Sequence, residues 1–379
     1  MGLRIQPAVI GCALRPVIAA RDRSLEEMIY DTAQQALRDA GITIDDIDGI
    51  VVASNDQFDG RSISVMMASG PVGGVDRDIM STPSASEHAF IMGALRVASG
   101  QFRTQLVVSW SPTEVSSMAD AQRLGTDPYF HRGLPLDELS AHALQASALE
   151  HAVPGARQAA EAVAAKNREH GRLAWPDPPL HPAAGTLRWP LTPAMTAAPV
   201  SGAVALVLAC PEFVAEGGLR DVAWLRGMGW ATEPGFLGDR DLSTAPALAA
   251  AVRQAYETAG ISNPAADFDL AEVTDATPYT ELLAWEALGL CPREAWLAGS
   301  IDGRFARGGR VPVNLSGGVL TWNPVFCTGL MRIGELANQI RGKAGAHQQA
   351  NARCGVAHAG SGFALQYQAA VILSREPRQ

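Results

Sequence analysis

A chain of 379 residues, 47% hydrophobic and only 18% charged, is long enough for one large or two fused domains with substantial cores. Its net charge of −9 argues against a nucleic-acid surface, and no run of like charge reads as an interaction tail. Five scattered cysteines (Cys12, Cys210, Cys291, Cys327, Cys354) contain no C-x-x-C pair, and the histidines show no ligand-like spacing, so no metal site, dithiol or disulfide scaffold is expected.

The first clear element is a helix over Leu25–Ala40, with Leu25, Met28, Ile29, Thr32, Ala33, Ala36 and Leu37 on one face. Ser24 and Glu27 form a capping box, and Gly41 is placed to end the helix. A short acidic link then leads into the apolar run Ile50-Val51-Val52-Ala53, which reads as a buried strand. Helix followed by buried strand points to an α/β layer fold. The same order returns around Gly260, where a helix and an Ala-Gly-Ile turn precede another strand. A second echo pairs residues 86–100, and the strand 105–110 after them, with residues 328–342 and the run 364–373. Two correspondences in the same order imply a duplicated α/β unit.

Residues 117–189 differ in character, with helical stretches near 139–150 and 155–169 and a Pro-rich run over 175–182. Such a segment inside a compact architecture reads as a lid, a binding loop, an oligomer contact or a plain surface insertion. No leader-like segment and no apolar run of membrane-spanning length is seen, so a soluble cytoplasmic protein without a membrane partner is expected.

The run Val313-Asn-Leu-Ser-Gly-Gly318, continued by Trp322-Asn-Pro-Val-Phe-Cys-Thr-Gly329 and a helix ending Gln339-Ile-Arg-Gly342, resembles the thiolase signature. Its nearest flavour is that of the sterol-carrier-protein-type thiolases and their non-thiolytic relatives. Further likeness runs through residues 39–53, the Gly100 region, residues 190–210 and residues 282–290. The resemblance implies an α/β thiolase fold, with duplicated βαβαβαββ halves in five layers, α-β-α-β-α. The halves would span residues 1–215, including the 117–189 insertion, and 216–379.

The catalytic positions do not follow. The place that the resemblance gives to the nucleophilic Cys is Pro83, and no Cys lies between Cys12 and Cys210. Ser84 and Ser86 are the substitute nucleophiles, with His88 as the one nearby base; helix capping is the plainer role for both. The His-Asp-Cys-Phe motif of the sterol-carrier type corresponds to Thr274-Asp275-Ala276-Thr277, where only the Asp remains. The Gly-His-Pro motif corresponds to Trp322-Asn323-Pro324. Asn323 can donate to an oxyanion but cannot take a proton at neutral pH. Cys327 stands at the family's Ala position and reads as core. Ordinary thiolysis, which needs a thiolate and an acid/base Cys, is therefore rejected.

Two readings stay open. In one, the chain binds a coenzyme A thioester as substrate, with no bound cofactor, and cleaves or forms a C–C bond without thiolysis, as a retro-aldol lyase or acyltransferase of lipid metabolism. Tyr279 then relays the β-hydroxyl proton, or Asp275 instead is the base; Asn323 holds the enolate oxygen, and His358, in a glycine-rich turn, replaces a lost acid/base. Gly317 and Gly318 are the implied contacts for the coenzyme A moiety, and Arg123, Arg132, Arg157, Lys166 and Arg168 are phosphate candidates or plain surface charge. A homodimer is implied, with a small zinc-ribbon/OB-fold partner or a second thiolase-like subunit. In the other reading, the chain is a catalytically silent subunit of a heteromeric complex.

Overall fold

The structure, a computed structural model, describes residues 5–17, 23–60, 62–82, 86–113, 117–134, 136–179 and 187–378. The chain opens with β1 (Ala8–Val17), α1 (Leu25–Ala40), β2 (Gly49–Ala53), β3 (Asp78–Thr82), α2 (Ser86–Ala98) and β4 (Thr104–Ser111). Three insertion helices follow, α3 (Met118–Gly125), α4 (Glu138–Ala152) and α5 (Ala156–Ala174), and then β5 (Ser201–Ala209). The remainder holds β6 (Ala223–Thr232), α6 (Pro246–Ala259), β7 (Leu270–Val273), α7 (Pro278–Ala287), α8 (Thr328–Arg341), β8 (Cys354–Ser361) and β9 (Tyr367–Ser374).

The local signals of α1 behave as expected. Ser24 Oγ accepts from Glu27 N at 3.1 Å, the Glu27 carboxylate accepts from Ser24 N at 2.8 Å, and Gly41 takes a left-handed conformation at φ 72°.

The nine strands run in the order β3-β2-β4-β5-β1-β6-β9-β8-β7. Read outward from the β1–β6 junction, each side repeats one plan: a first strand, two antiparallel neighbours, then a parallel one. The last position of the second side is a single parallel bridge between Ala271 and Val313, matching the pairing of β2 with β3. The first strands even share a fault. A register shift falls between Val9 and Gly11 in β1 and between Leu225 and Gly227 in β6. A Cβ on Gly11 would stand 2.4 Å from Ala36 O, and one on Gly227 2.3 Å from Ala255 O. In both halves glycine lets a helix lie directly on the strand.

This topology corrects the second repeat. The strand after α8 is β8, and it is β8 that corresponds to β4; residues 364–373 run into β9, the counterpart of β5. An apolar run that ends the chain looks the same whether it is third or fourth in the unit, so composition placed it one strand early.

Side chains alternate between two environments along the strands, as pleating requires. Val51, Val107, Val204 and Leu206 of the first half and Ala357, Ala359, Val371 and Leu373 of the second face α2 and α8, which form one central layer. The other faces pack against α1 in the first half and against α6, α7, α4 and α5 in the second. The five-layer α-β-α-β-α arrangement is thus present. The insertion leaves the first half and closes over the second, which puts it beside the ends of the central helices.

Candidate active site

A cavity of about 1110 Å³ opens between the insertion and the ends of β7 and β8. Its walls combine Thr274, Ala276 and Thr277 after β7, Asn323, Val325 and Thr328 before and at the start of α8, and Gly360, Ser361 and Gly362 at the end of β8. Phe58, Leu139, Val319, Phe326, Phe363 and Leu365 supply broad apolar surface. The volume lies just above the usual range of about 300–1,000 Å³ for small-molecule sites, so it suits a bulky, largely apolar ligand. Among the described residues no cysteine, lysine or arginine lines it.

The backbone there is firmly set. Thr277 caps α7, with Pro278 in the first helical position. Asn323 O accepts from Val200 N at 2.9 Å, and its side-chain amide donates to Ala197 O at 3.1 Å. Arg168 donates to the carbonyls of Pro193, Ala194 and Thr196 and so pins the approach to this wall; burial pulls its pKa down to about 10.

Among the described residues that the sequence put forward for chemistry, Asn323 alone lines the cavity. Asp275 turns to the opposite side of its loop. Its Oδ1 accepts from Val319 N at 2.6 Å and its Oδ2 from Asn167 Nδ2 at 2.7 Å. Burial, then the neighbouring Glu281, pushes its pKa up to about 7. The network continues through Asn167 to Glu281 at 2.6 Å, Lys166 to Glu281 at 2.9 Å and Asn314 to Glu281 at 2.9 Å.

Tyr279 is fully buried on α7, and its hydroxyl donates to Glu150 of α4. Burial and that bond raise its pKa further above the ordinary phenol value. His358 lies on the face of β8 turned away from α8; its Nε2 pairs with Gln368 Oε1 at 2.7 Å, and burial holds its pKa down to about 4. Ser86 Oγ accepts from Leu330 N at 2.9 Å, joining the starts of the two central helices. Ser84 lies outside the described residues. Asp275, Tyr279, His358 and Ser86 therefore stand around the cavity but not in its wall.

The glycine pair serves the chain itself. A Cβ on Gly317 would meet Thr321 Oγ1 at 2.2 Å, one on Gly318 would meet Asp275 Oδ1 at 2.2 Å, and both residues have positive φ. Their lack of side chains admits protein atoms, which by itself accounts for glycine at both positions. Cys327 is buried, with its pKa pushed up to about 12 by burial, as a core residue should be. Arg157 pairs with Glu150 and Glu161 and Lys166 with Glu281, so neither is a free phosphate contact.

Sequence reasoning missed the polar groups nearest the cavity. Glu87, in the first turn of α2, is fully buried and accepts from Ser361 Oγ at 2.6 Å; burial raises its pKa. Gly329 makes room for it, since a Cβ there would stand 2.3 Å from Glu87 Oε2. The available signal was a lone Glu opening a helix that continues as Ala89-Phe90-Ile91. His131 and His142 enter the wall from the insertion, where a lone His after Tyr129-Phe130 and another in an Ala-rich stretch gave no motif.

Comparison with known proteins places this geometry. Residues 232–375 match the family described as thiolase C-terminal domain-like. Sterol carrier protein 2 of Homo sapiens is 39% identical over 110 residues, 28% of this chain and 20% of that protein. Acetyl-CoA acetyltransferase of Methanothermobacter thermautotrophicus is 31% identical over 162 residues, 42% of each chain. The chain thus spans less than half the length of these curated relatives. A solved structure described as the Ltp2-ChsH2(DUF35) aldolase superposes with a TM-score of 0.82 at 19% identity, covering 97% of both chains. The chain thus has a thiolase-like fold, and its C-terminal sequence is similar to the thiolase C-terminal domain and to sterol carrier protein 2.

Proposed function

We propose that this protein binds an acyl thioester of coenzyme A in the large cavity and cleaves or forms a C–C bond without a covalent acyl-enzyme, in the manner of a retro-aldol lyase. The observation that carries the reading is the cavity itself. It is large and mainly apolar, it sits where the superfamily's chemical motifs converge, and it retains an amide donor in Asn323 where no cysteine lines the wall among the described residues. In a retro-aldol step the enzyme needs an acceptor for the β-hydroxyl proton and a donor for the developing enolate oxygen, and no nucleophile. Asn323 is the donor. The aldolase whose fold this chain shares supports the reaction class, and its two-part name supports a partner subunit.

The exposed edge strand β3, with Met66, Val75 and Met80 nearby on the surface, suits pairing with a second copy. Among the described residues no helix is long and apolar enough to cross a membrane. A second reading, a silent subunit, is favoured by one fact: Asp275, Tyr279 and His358 are all engaged in internal hydrogen bonds.

The test has two arms. Native mass spectrometry of the protein drawn gently from its host cells reports the partner, and chromatography with mass detection follows a 3-hydroxyacyl-CoA incubated with that assembly. A shortened acyl-CoA, lost by about 10²-fold or more in Asn323→Ala, is the expected result. Thiolytic product from a 3-ketoacyl-CoA and free coenzyme A would overturn the non-thiolytic reading. No turnover, beside a partner chain that carries Cys and His, would establish the silent subunit.

A further inference from the structure

The insertion brings two histidines into the cavity wall with their hydrogen-bonding capacity unused. His142 is 4% exposed and His131 6% exposed, yet neither ring nitrogen of His142 and not the Nε2 of His131 has a hydrogen-bond partner. Buried polar atoms left open in this way are uncommon in native proteins and call for an explanation.

Their surroundings are ordered. Asp137 caps α4 by accepting from Ser140 N at 2.7 Å, which fixes the first turn of the helix. One turn separates Glu138 from His142, and Glu138 Oε1 stands 3.9 Å from His142 Nε2, which places the carboxylate beside the ring on the same helix face. The second oxygen of Glu138 accepts from Gln122 of α3, so the carboxylate cannot swing away freely. His131 is held by ring contacts, 5.2 Å to Phe236 and 6.3 Å to Phe363 between centroids. All four side chains, Gln122, His131, Glu138 and His142, line the cavity that Asn323 also lines.

We infer that His142, oriented by Glu138 and aided by His131, is the recognition site for an oxygen function on the ligand's acyl group and the acceptor of its proton. The inference rests on the thioester reading above and gives it the base that the superfamily motifs no longer supply. In a β-hydroxyacyl thioester the imidazole takes the hydroxyl proton. The O–H pair becomes the new C=O bond as Cα–Cβ breaks, and the Cα–Cβ pair forms an enolate whose oxygen accepts from Asn323. Return of the proton to Cα gives the shortened thioester and a free ketone or aldehyde, with no oxidant or second substrate.

The test is calorimetric binding of octanoyl-CoA and 3-hydroxyoctanoyl-CoA to the full-length protein, since one neutral hydrogen bond changes affinity by up to about tenfold. The native protein is expected to prefer the hydroxylated ester by about tenfold. In His142→Leu that ratio should fall to within about twofold, and in His142→Gln, which keeps a donor and an acceptor, part of it should return. Binding of both esters with no preference, or a preference intact in His142→Leu, would overturn the assignment and leave the thioester reading standing. Absence of binding by either ester would overturn the thioester reading and this inference with it.

Discussion

Two sets of polar side chains flank the cavity and differ in how their hydrogen-bonding capacity is used. Behind β7, Asp275, Asn167, Glu281, Lys166 and Asn314 bond to one another in a closed, buried group. In the insertion, His131 and His142 are just as buried but keep open nitrogens on the cavity. The first set joins Asp275, Glu281 and Asn314, in or beside segments that resemble the superfamily's motifs, to Asn167 and Lys166 of α5; the second lies wholly in the insertion. A closed network fixes geometry and has no capacity left for a ligand, whereas open buried groups cost stability and persist where a ligand completes them. The difference teaches that motif position and chemical availability have separated in this chain.

The comparison breaks most visibly if the closed set can be opened. Lys166→Met leaves Glu281 buried beside Asp275 without its cation, which should cost on the order of 3–5 kcal/mol in urea denaturation. Lys166→Met with Glu281→Gln should recover most of that loss, because the uncompensated charge has gone. A loss below about 1 kcal/mol in the single variant would mean that water reaches the network and that it is not closed.

Next in size is the response to pH. His358 and His170 are held down to about 4 by burial, against an unfolded value near 6.5. His170 shows why: Nδ1 meets Asn314 O at 3.0 Å while Nε2 accepts from Arg307 N at 3.1 Å, an arrangement only a neutral ring satisfies. The unfolded state binds more protons between those values, so stability present above pH 6.5 is lost as pH falls toward 4, by up to about 3 kcal/mol for each ring. Asp275, raised to about 7, has the opposite sign. Its contribution is full below pH 3.8 and is lost as pH rises through 7. The two slopes oppose each other in a melting profile, and Asp275→Asn should leave the steeper acid-side fall of the histidines exposed. An unchanged profile in that variant would remove Asp275 from the balance.

Much of the fold was legible in the sequence because it is written twice. The capped helix before β2, the Gly-ended helices α2 and α8 and the apolar strands each carry a local signal, and repetition made those signals decisive. The site was far less legible. Asn323 could be aligned with the cavity wall because the run around it still resembles the superfamily's segment, but the side on which Asp275 or His358 emerges depends on the turn of a loop and the pleat of a strand. Glu87 offered only a lone acid opening an apolar helix and His142 no local signature, since each becomes a cavity neighbour only through packing between elements far apart in the chain.

The smallest expected effect sharpens the comparison most. Tyr279 belongs with the closed set: its ring is buried among α7, α4 and α5, and its hydroxyl is spent on Glu150, which also meets Arg157 at 3.4 Å. Tyr279→Phe keeps the ring packing and leaves Glu150 its cation, so only one hydrogen bond is lost, at about 1 kcal/mol in urea denaturation. Turnover of a 3-hydroxyacyl-CoA should be unaffected, because the phenol neither lines the cavity nor gives up its proton at neutral pH. If Tyr279→Phe instead folds normally and turns over a hundredfold more slowly, the bond to Glu150 must open when ligand binds. The phenol would then have to be counted among the open groups, and the closed network would be a resting state of the site.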